Sequence, residues 1–355
     1  MYKLAFLGGG TESIAGYVHL IASQMDRKFE VVGGIFSRES QKSQMAAQEY
    51  KVKHFDSIAE MCEQVDIVVV LTPTPEHYRN ITELLRFDVG IIVDKPIVSE
   101  LSETLIDENK FIVVTHNYSG YPLVRELKEL IRHAHLGEIK KIKINMPQES
   151  FFKPMKPGYP QQWRIQDKSI PTISLDLGVH VFHLLEFLYP DDIVEVFAEC
   201  SSFSRFDVID DYDILVRSKN IKAVLSFSKI SLGNRNELSI EVYGNHAGAK
   251  WEHSNPEELI IAYTDGKREV FSRGYAPYEA YKKRYNRMAP GHMAGFIEAF
   301  ANLYVDIEEA FTHFKSTGVF QSNAFVYDAA HSYKSLKFLD LAKESTQKGK
   351  WIEWK

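Results

Sequence analysis

Over the first third of the chain, short unbroken apolar runs alternate with stretches of helical period. Leu4 to Leu7, Val31 to Phe36, Ile67 to Leu71 and Gly90 to Val93 are the runs. Ile14 to Ser23, Met45 to Tyr50 and Ile81 to Arg86 are the helical stretches between them. A run with no polar alternation suits a strand buried on both faces, so the pattern predicts a parallel sheet covered by helices on each side. Phe111 to Thr115 reads as its last strand.

Beyond Tyr121 the texture changes. A helix over Leu123 to His133 is followed by strand patterns at Ile139 to Met146, Val194 to Ser201, Tyr212 to Arg217, Ala223 to Phe227, Leu238 to Val242, Leu259 to Tyr263 and Glu269 to Phe271. Strands in succession without crossover helices predict an antiparallel or mixed sheet. One helix interrupts them, from Ser174 to Leu188, and two close the chain, over Gly295 to Ile307 and Asn323 to Ala342. In the first of these closing helices, Phe296, Ile297, Phe300, Leu303, Tyr304 and Ile307 form an apolar stripe. The predicted class is α/β: a doubly wound parallel sheet over 1–120, then an α+β domain over 121–355 with a large, mostly antiparallel open sheet. An open sheet tends to cover its free face with another subunit, so a homodimer or homotetramer through the C-terminal sheet is expected.

Composition narrows the function. At 355 residues, 45% hydrophobic and 25% charged, the chain is too long for one small core. Lysine plus arginine number 42 against 48 acids, and the difference of −6 disfavours a general nucleic-acid or anionic-membrane binder. Cys62 and Cys200 stand far apart and outside any C-x-x-C, which offers neither a disulfide framework nor a cysteine zinc site. After Met1-Tyr2-Lys3 the apolar run before Gly8 is only four residues long, shorter than a signal-peptide core, so a cytoplasmic protein is expected. Between Lys267 and Arg287 seven basic residues stand among five tyrosine and phenylalanine side chains. That cluster reads either as a solvated loop or subunit contact, or as an RNA surface.

The chemistry begins after the first strand, at Gly8-Gly9-Gly10-Thr11-Glu12-Ser13-Ile14, a glycine-rich turn opening a helix inside a βαβ unit. Glycines let backbone approach a pyrophosphate, whose charge the free N–H groups at the helix start receive. Ser13 stands where G-x-G-x-x-G would place its third glycine; alternatively Gly16 is that glycine and the loop is longer. A turn without a ligand is the plainer reading. The second strand ends in Ser37-Arg38 with no acid for a ribose 2′-OH, which suits the 2′-phosphate of NADP better than NAD. A solvated Arg38 is the alternative, with Glu39 or Glu12 on the ribose.

Two further strand ends carry polar groups: Thr72-Pro73-Thr74-Pro75-Glu76-His77 and Asp94-Lys95-Pro96. Both fall at the carboxyl edge of the predicted parallel sheet, where such sheets bind ligands. Lys95 is either a functional cation or half of a structural ion pair with Asp94 or another acid. On the Ser174 helix, Asp176, His180, His183 and Phe187 share one stripe, while Gly178 faces away and permits close packing. Thr172 and Ser174 are its cap candidates. Asp-x-x-x-His-x-x-His is compatible with a metal site or with satisfied core histidines, and no metal is expected, because H-E-x-x-H spacing is absent.

Taken in order, Gly8 to Gly16, Thr72 to His77, Asp94 to Pro96 and Asp176 to His180 resemble the motifs of the Gfo/Idh/MocA oxidoreductases (glucose-fructose oxidoreductase, inositol dehydrogenase). The resemblance spans nearly the whole chain. It implies a Rossmann NAD(P)-binding domain and a hydride transfer between nicotinamide and a secondary hydroxyl or ketone of a sugar or cyclitol. It implies that Lys95 and His180 are catalytic, with Asp176 orienting substrate or raising the basicity of His180. Cofactor contacts are expected from Gly8, Gly10, Thr11, Glu12, Ser13, Ile14, Ser37, Arg38, Thr72, Pro73, Thr74, His77, Asp94 and Lys95. Substrate contacts are expected from Asn117, Tyr118, Trp163, Arg164 and His183, with loop packing the equal alternative for the first four. An NAD-dependent glycosidase keeps the same residues, and a sugar or nucleotide sensor keeps the same fold.

Overall fold

The computed structural model describes residues 1–105, 107, 109–155, 159–320 and 323–354. Its first strands and helices are β1 (Tyr2–Gly8), α1 (Ile14–Met25), β2 (Phe29–Ile35), α2 (Ser40–Tyr50), β3 (Lys53–His54), α3 (Ile58–Cys62), β4 (Ile67–Leu71), α4 (His77–Leu84), β5 (Gly90–Asp94) and β6 (Ile112–Thr115). All five residues of β4 are buried, as its unbroken apolar run requires. The strands pair in the order β3-β2-β1-β4-β5-β6, and every pair is parallel. The order reverses between β1 and β4, which puts the topological switch point of a Rossmann sheet beside the glycine turn.

The next elements are α5 (Pro122–Arg132), β7 (Ile139–Pro147), a π turn (Ser174–Gly178) leading into α6 (Val179–Leu188), β8 (Ile193–Ser201), β9 (Asp211–Ser218), β10 (Lys222–Ser228), β11 (Ser239–Gly244), β12 (Ala247–Glu252), β13 (Asn255–Tyr263) and β14 (Arg268–Ser272). The chain closes with α7 (Phe296–Thr317), β15 (Tyr327–Asp328), α8 (Ala329–Lys348) and β16 (Ile352–Glu353). Nine strands form the second sheet, in the order β14-β13-β12-β11-β7-β10-β9-β8-β16. Among the described residues of this sheet, only β7 and β10 pair in parallel. Alternation sets its faces: Ile142, Ile144 and Met146 of β7 are buried, and Lys143 between them turns outward against Glu241 of β11. β12 escapes the sequence pattern because its inward side chains are two alanines and Trp251, a weak apolar signal for a strand whose tryptophan is fully buried.

The domain division differs from the expected one. One compact unit comprises 1–120 and 295–333, the other 121–294 and 334–355, so the expected C-terminal domain over 121–355 is interrupted. The cause is the apolar stripe of α7. Phe300, Ala301, Tyr304, Ile307, Ala310 and Phe311 join the core of the parallel sheet, beside Leu4, Phe6, Val18 and Phe111. The stripe also carries α7 past its predicted end at Ile307 as far as Thr317, where Gly318 at φ 72° closes it. β15 adds a short antiparallel edge beside β6.

Within the basic cluster after β13, Arg273 is buried, whereas Lys267, Arg268, Lys282 and Lys283 are exposed. Arg273, 2% exposed, donates to Glu257 through Nε and to the carbonyls of Tyr285 and His292 through its terminal nitrogens. Lys267 pairs with Glu269, and Lys282 with Glu279. Glu126 of α5, also fully buried, accepts the N–H groups of Tyr278, Glu279 and Ala280. Buried charges of both signs therefore pin the segment as structure. Among the described residues no helix is long and apolar enough to cross a membrane.

Candidate active site

In the first unit the glycine turn is held by close backbone approach. Gly8 and Gly9 have φ of +91° and +71°, a region that side chains disfavour. A Cβ on Gly16 would lie 2.1 Å from the Gly9 carbonyl oxygen, so Gly16 is the glycine that lets α1 pack against the turn, and the loop is the longer of the two forms. Ser13 instead caps the helix, its Oγ accepting from the Gly16 N–H at 3.1 Å at the N-terminus of α1. Thr11, Glu12 and Ile14 project into solvent at the start of that helix. A cradle that excludes Cβ atoms, followed by a capped helix start, fits a dinucleotide pyrophosphate. Beyond β2, Ser37 accepts from the Glu39 N–H, while Arg38 is 85% exposed and lies 3.5 Å from Glu76.

The sheet order places the ends of β4 and β5 on the same edge as the turn. His77 is buried between them, its Nδ1 2.9 Å from the Pro96 carbonyl and its Nε2 2.8 Å from the Thr72 carbonyl. Burial lowers its pKa although both carbonyls favour the cation. A neutral ring has one N–H and donates to one carbonyl at a time. Both ring nitrogens thus face the backbone, and His77 braces the two strand ends. Thr74 is buried in the intervening turn, and Pro73 lies exposed beside it.

Asp94 closes β5 and Lys95 follows it half-buried. The Thr115 hydroxyl donates to Asp94 Oδ1 at 3.0 Å, and Nε2 of His19 stands 3.8 Å from the same oxygen. Burial acts to raise this carboxyl, but the nearby His19 ring, the Lys95 charge and the Thr115 hydroxyl hold it well below the usual carboxylate range. His19 is fully buried, with Nδ1 2.7 Å from the Tyr304 hydroxyl, whose own pKa is raised by burial and by Asp94. Neither His19 nor Tyr304 was apparent as a site residue from the sequence. One lies on α1 and the other 285 residues later on α7, so no local spacing connects them. After β6, Asn117 and Tyr118 are buried in a 3₁₀ turn, Tyr118 edge-on to Phe296. The Asn117 amide nitrogen is buried without a hydrogen-bond partner among the described residues.

In the second unit, the helix carrying the histidines opens as a π turn. Neither predicted cap serves it, since the Thr172 hydroxyl is turned to Asp167 Oδ1 and the Arg164 carbonyl, and no side chain caps the turn. Widened turns of this kind recur at functional sites. Gly178 makes room for it: a Cβ there would meet Leu339 at 2.7 Å and Phe227 at 3.1 Å, in accord with the packing role expected for it. His180 and His183 are buried on α6, and the ring of His183 is tilted against Phe187. Asp176 is held by two cations, Arg164 Nη1 at 3.2 Å and Lys229 Nζ at 2.8 Å. Arg164 also stacks on Trp163, its guanidinium 4.3 Å from the ring. No local pattern marks Lys229, which stands alone after a strand.

Comparison with known proteins agrees with both units. Residues 3–110 match the family model described as "Oxidoreductase family, NAD-binding Rossmann fold", and residues 124–250 match the GFO/IDH/MocA C-terminal domain. The chain belongs to the GFO/IDH/MocA oxidoreductases. Within that family it is 23% identical to the uncharacterized oxidoreductase YfiI of Bacillus subtilis, over 99% of this chain and 97% of that protein. It is 24% identical to inositol 2-dehydrogenase of Rhizobium meliloti, over 74% and 79% respectively. Its fold is shared with an inositol dehydrogenase homolog of Azotobacter vinelandii solved with NADH and myo-inositol, with a TM-score of 0.87, 21% identity and coverage of 99% and 97%. It is also shared with a levoglucosan dehydrogenase solved with NADH and L-sorbose, with a TM-score of 0.84, 19% identity and coverage of 99% and 98%. For a GFO/IDH/MocA enzyme the cradle at Gly8 to Gly16 is the expected dinucleotide site.

Proposed function

We propose that this enzyme interconverts a secondary hydroxyl and a ketone on a sugar or cyclitol. The observation that carries this reading is the carboxyl edge of the parallel sheet, where the Gly8 to Gly16 cradle, the Thr72 to His77 turn and Asp94-Lys95 end neighbouring strands. A bound nicotinamide dinucleotide supplies the acceptor or donor of hydride. Lys95 stabilises negative charge developing on the substrate oxygen, and Asp94, held ionised, supports that ammonium. His180 exchanges the hydroxyl proton, a role suited to a side chain whose unperturbed titration falls near neutrality. Asp176, His183, Trp163 and Arg164 position the substrate, and the unpartnered amide of Asn117 offers it a donor. Support for the substrate class comes from the relatives, whose names and ligands are inositol, levoglucosan and L-sorbose. A panel of sugars and cyclitols including these three, offered with NAD and NADP, tests the reading through the absorbance of the reduced nicotinamide. No turnover on any member would refute it.

For the cofactor, Ser37 and Arg38 at the end of β2 support NADP over NAD. Arg38→Ala is then expected to weaken NADP binding by about 1 to 3 kcal/mol, the scale of a lost charge-assisted hydrogen bond, and to leave NAD within about twofold. Fluorescence titration of the two reduced dinucleotides measures it; equal losses for both would assign Arg38 to its Glu76 pair alone. The open sheet supports a homodimer or homotetramer, since Phe197, Leu215 and Val224 lie side by side across β8, β9 and β10 on its outer face. Light scattering of the purified protein reads the assembly directly.

A further inference from the structure

Lys229 is only 4% exposed, and a lysine is rarely buried unless a counter-charge repays the loss of water. Its backbone is fixed on both sides, the N–H donating to the Asp210 carbonyl and its own carbonyl accepting from the Phe151 N–H, each at 2.9 Å. The Phe151 ring lies 4.9 Å from Nζ. Nζ meets Oδ2 of Asp176 at 2.8 Å while Arg164 meets Oδ1 at 3.2 Å, so each oxygen of one carboxylate faces a cation. The two cations differ in setting, since Lys229 is buried and Arg164 is 37% exposed. Phe227, two residues before Lys229, packs at Gly178 and brings the end of β10 against the π turn that carries Asp176. Asp176 lies four residues ahead of His180, in the π turn that leads into α6.

We propose that Lys229 is a positioning residue of the reaction, holding the Asp176 carboxylate ionised and in one orientation and thereby fixing the electrostatic surroundings of the His180 ring. The proposal rests on the reading of Asp176 and His180 as site groups given above. A lysine that merely neutralised a partly exposed acid would affect stability and leave turnover alone.

The test uses the full chain with Lys229→Met, Lys229→Arg, Asp176→Asn and the double variant Lys229→Met/Asp176→Asn. On the panel substrate turned over fastest, Lys229→Met is expected to lower kcat at least about tenfold with the KM for dinucleotide within about threefold. Lys229→Arg should recover most of that loss, and in the Asp176→Asn background Lys229→Met should change kcat less than about twofold. Without substrate, Lys229→Met should displace the His180 ring signal in a histidine-selective NMR spectrum, the signal being identified by its absence from His180→Gln. If Lys229→Met fails to fold, Asp176→Asn should displace the same signal. A wild-type kcat in Lys229→Met, a full further loss in the Asp176→Asn background, or an unmoved His180 signal overturns the proposal. A panel with no turnover would sink the sugar or cyclitol reading instead, and the ring spectrum would still decide on Lys229.

Discussion

Lys95→Ala and His180→Ala are each expected to lower kcat by about a hundredfold or more, the usual scale for removing a positioned charge stabiliser or a general acid-base group. Most of the dinucleotide affinity should survive, because the cradle is built from the backbone of Gly8 to Gly16 and the cap of Ser13, and Lys95→Ala removes at most its single expected cofactor contact. Both changes remove a group assigned to the reacting hydroxyl. The double variant should therefore fall short of the product of the single effects. His183→Ala serves as the internal comparison, since His183 is assigned substrate contact and no proton transfer. Steady-state kinetics with a parallel fluorescence titration of the reduced dinucleotide separates these outcomes. Loss of turnover in His183→Ala with a near-silent His180→Ala would move the base to His183, and a silent Lys95→Ala would reduce Lys95 to the ion pair with Asp94.

Gly16→Ala is expected to weaken dinucleotide binding at least about tenfold and to destabilise the protein by about 1 to 3 kcal/mol, the range for overpacking a close contact. The added Cβ would stand 2.1 Å from the Gly9 oxygen and 2.6 Å from the Gly9 carbonyl carbon. Both are backbone atoms, and Gly9 is itself held at φ +71°, so no flexible side chain can swing aside. Relief requires α1 to move away from the turn, which displaces the N–H groups that the pyrophosphate needs. Gly248→Ala in β12 is the control, as its nearest heavy atom lies at 3.6 Å, and it should leave both binding and melting temperature unchanged. Thermal unfolding and fluorescence titration of the pair measure the contrast; normal binding by Gly16→Ala would mean that the turn tolerates a wider separation from α1.

What the sequence determined by itself was whatever depends on neighbours along the chain. Unbroken apolar runs specified the parallel sheet, alternation specified the second sheet, and the strand ends carried Gly8 to Gly16, Thr72 to His77 and Asp94-Lys95 because residues adjacent in sequence stay adjacent at a turn. The stripe expected for Asp176, His180 and His183 was read from helical period, whereas the fold puts Asp176 in the π turn ahead of α6. The tertiary structure decided what depends on partners far away in the chain. The stripe on α7 was visible, but only packing showed that it completes the core of the first unit, because an apolar face carries no address for the surface that will cover it. Glycine spacing left two forms of the loop, and the Gly9 carbonyl oxygen, which would stand 2.1 Å from a Cβ on Gly16, selected one. β12 was hidden because small side chains give little pattern while their backbone still pairs on both edges. His77 was legible as a polar group at a strand end, while the backbone carbonyls that its two ring nitrogens face are set by the fold. His19 with Tyr304, and Lys229 with Asp176, were invisible for one physical reason: a buried charge or ring is selected by the distant group that compensates it, and that group is chosen by the fold.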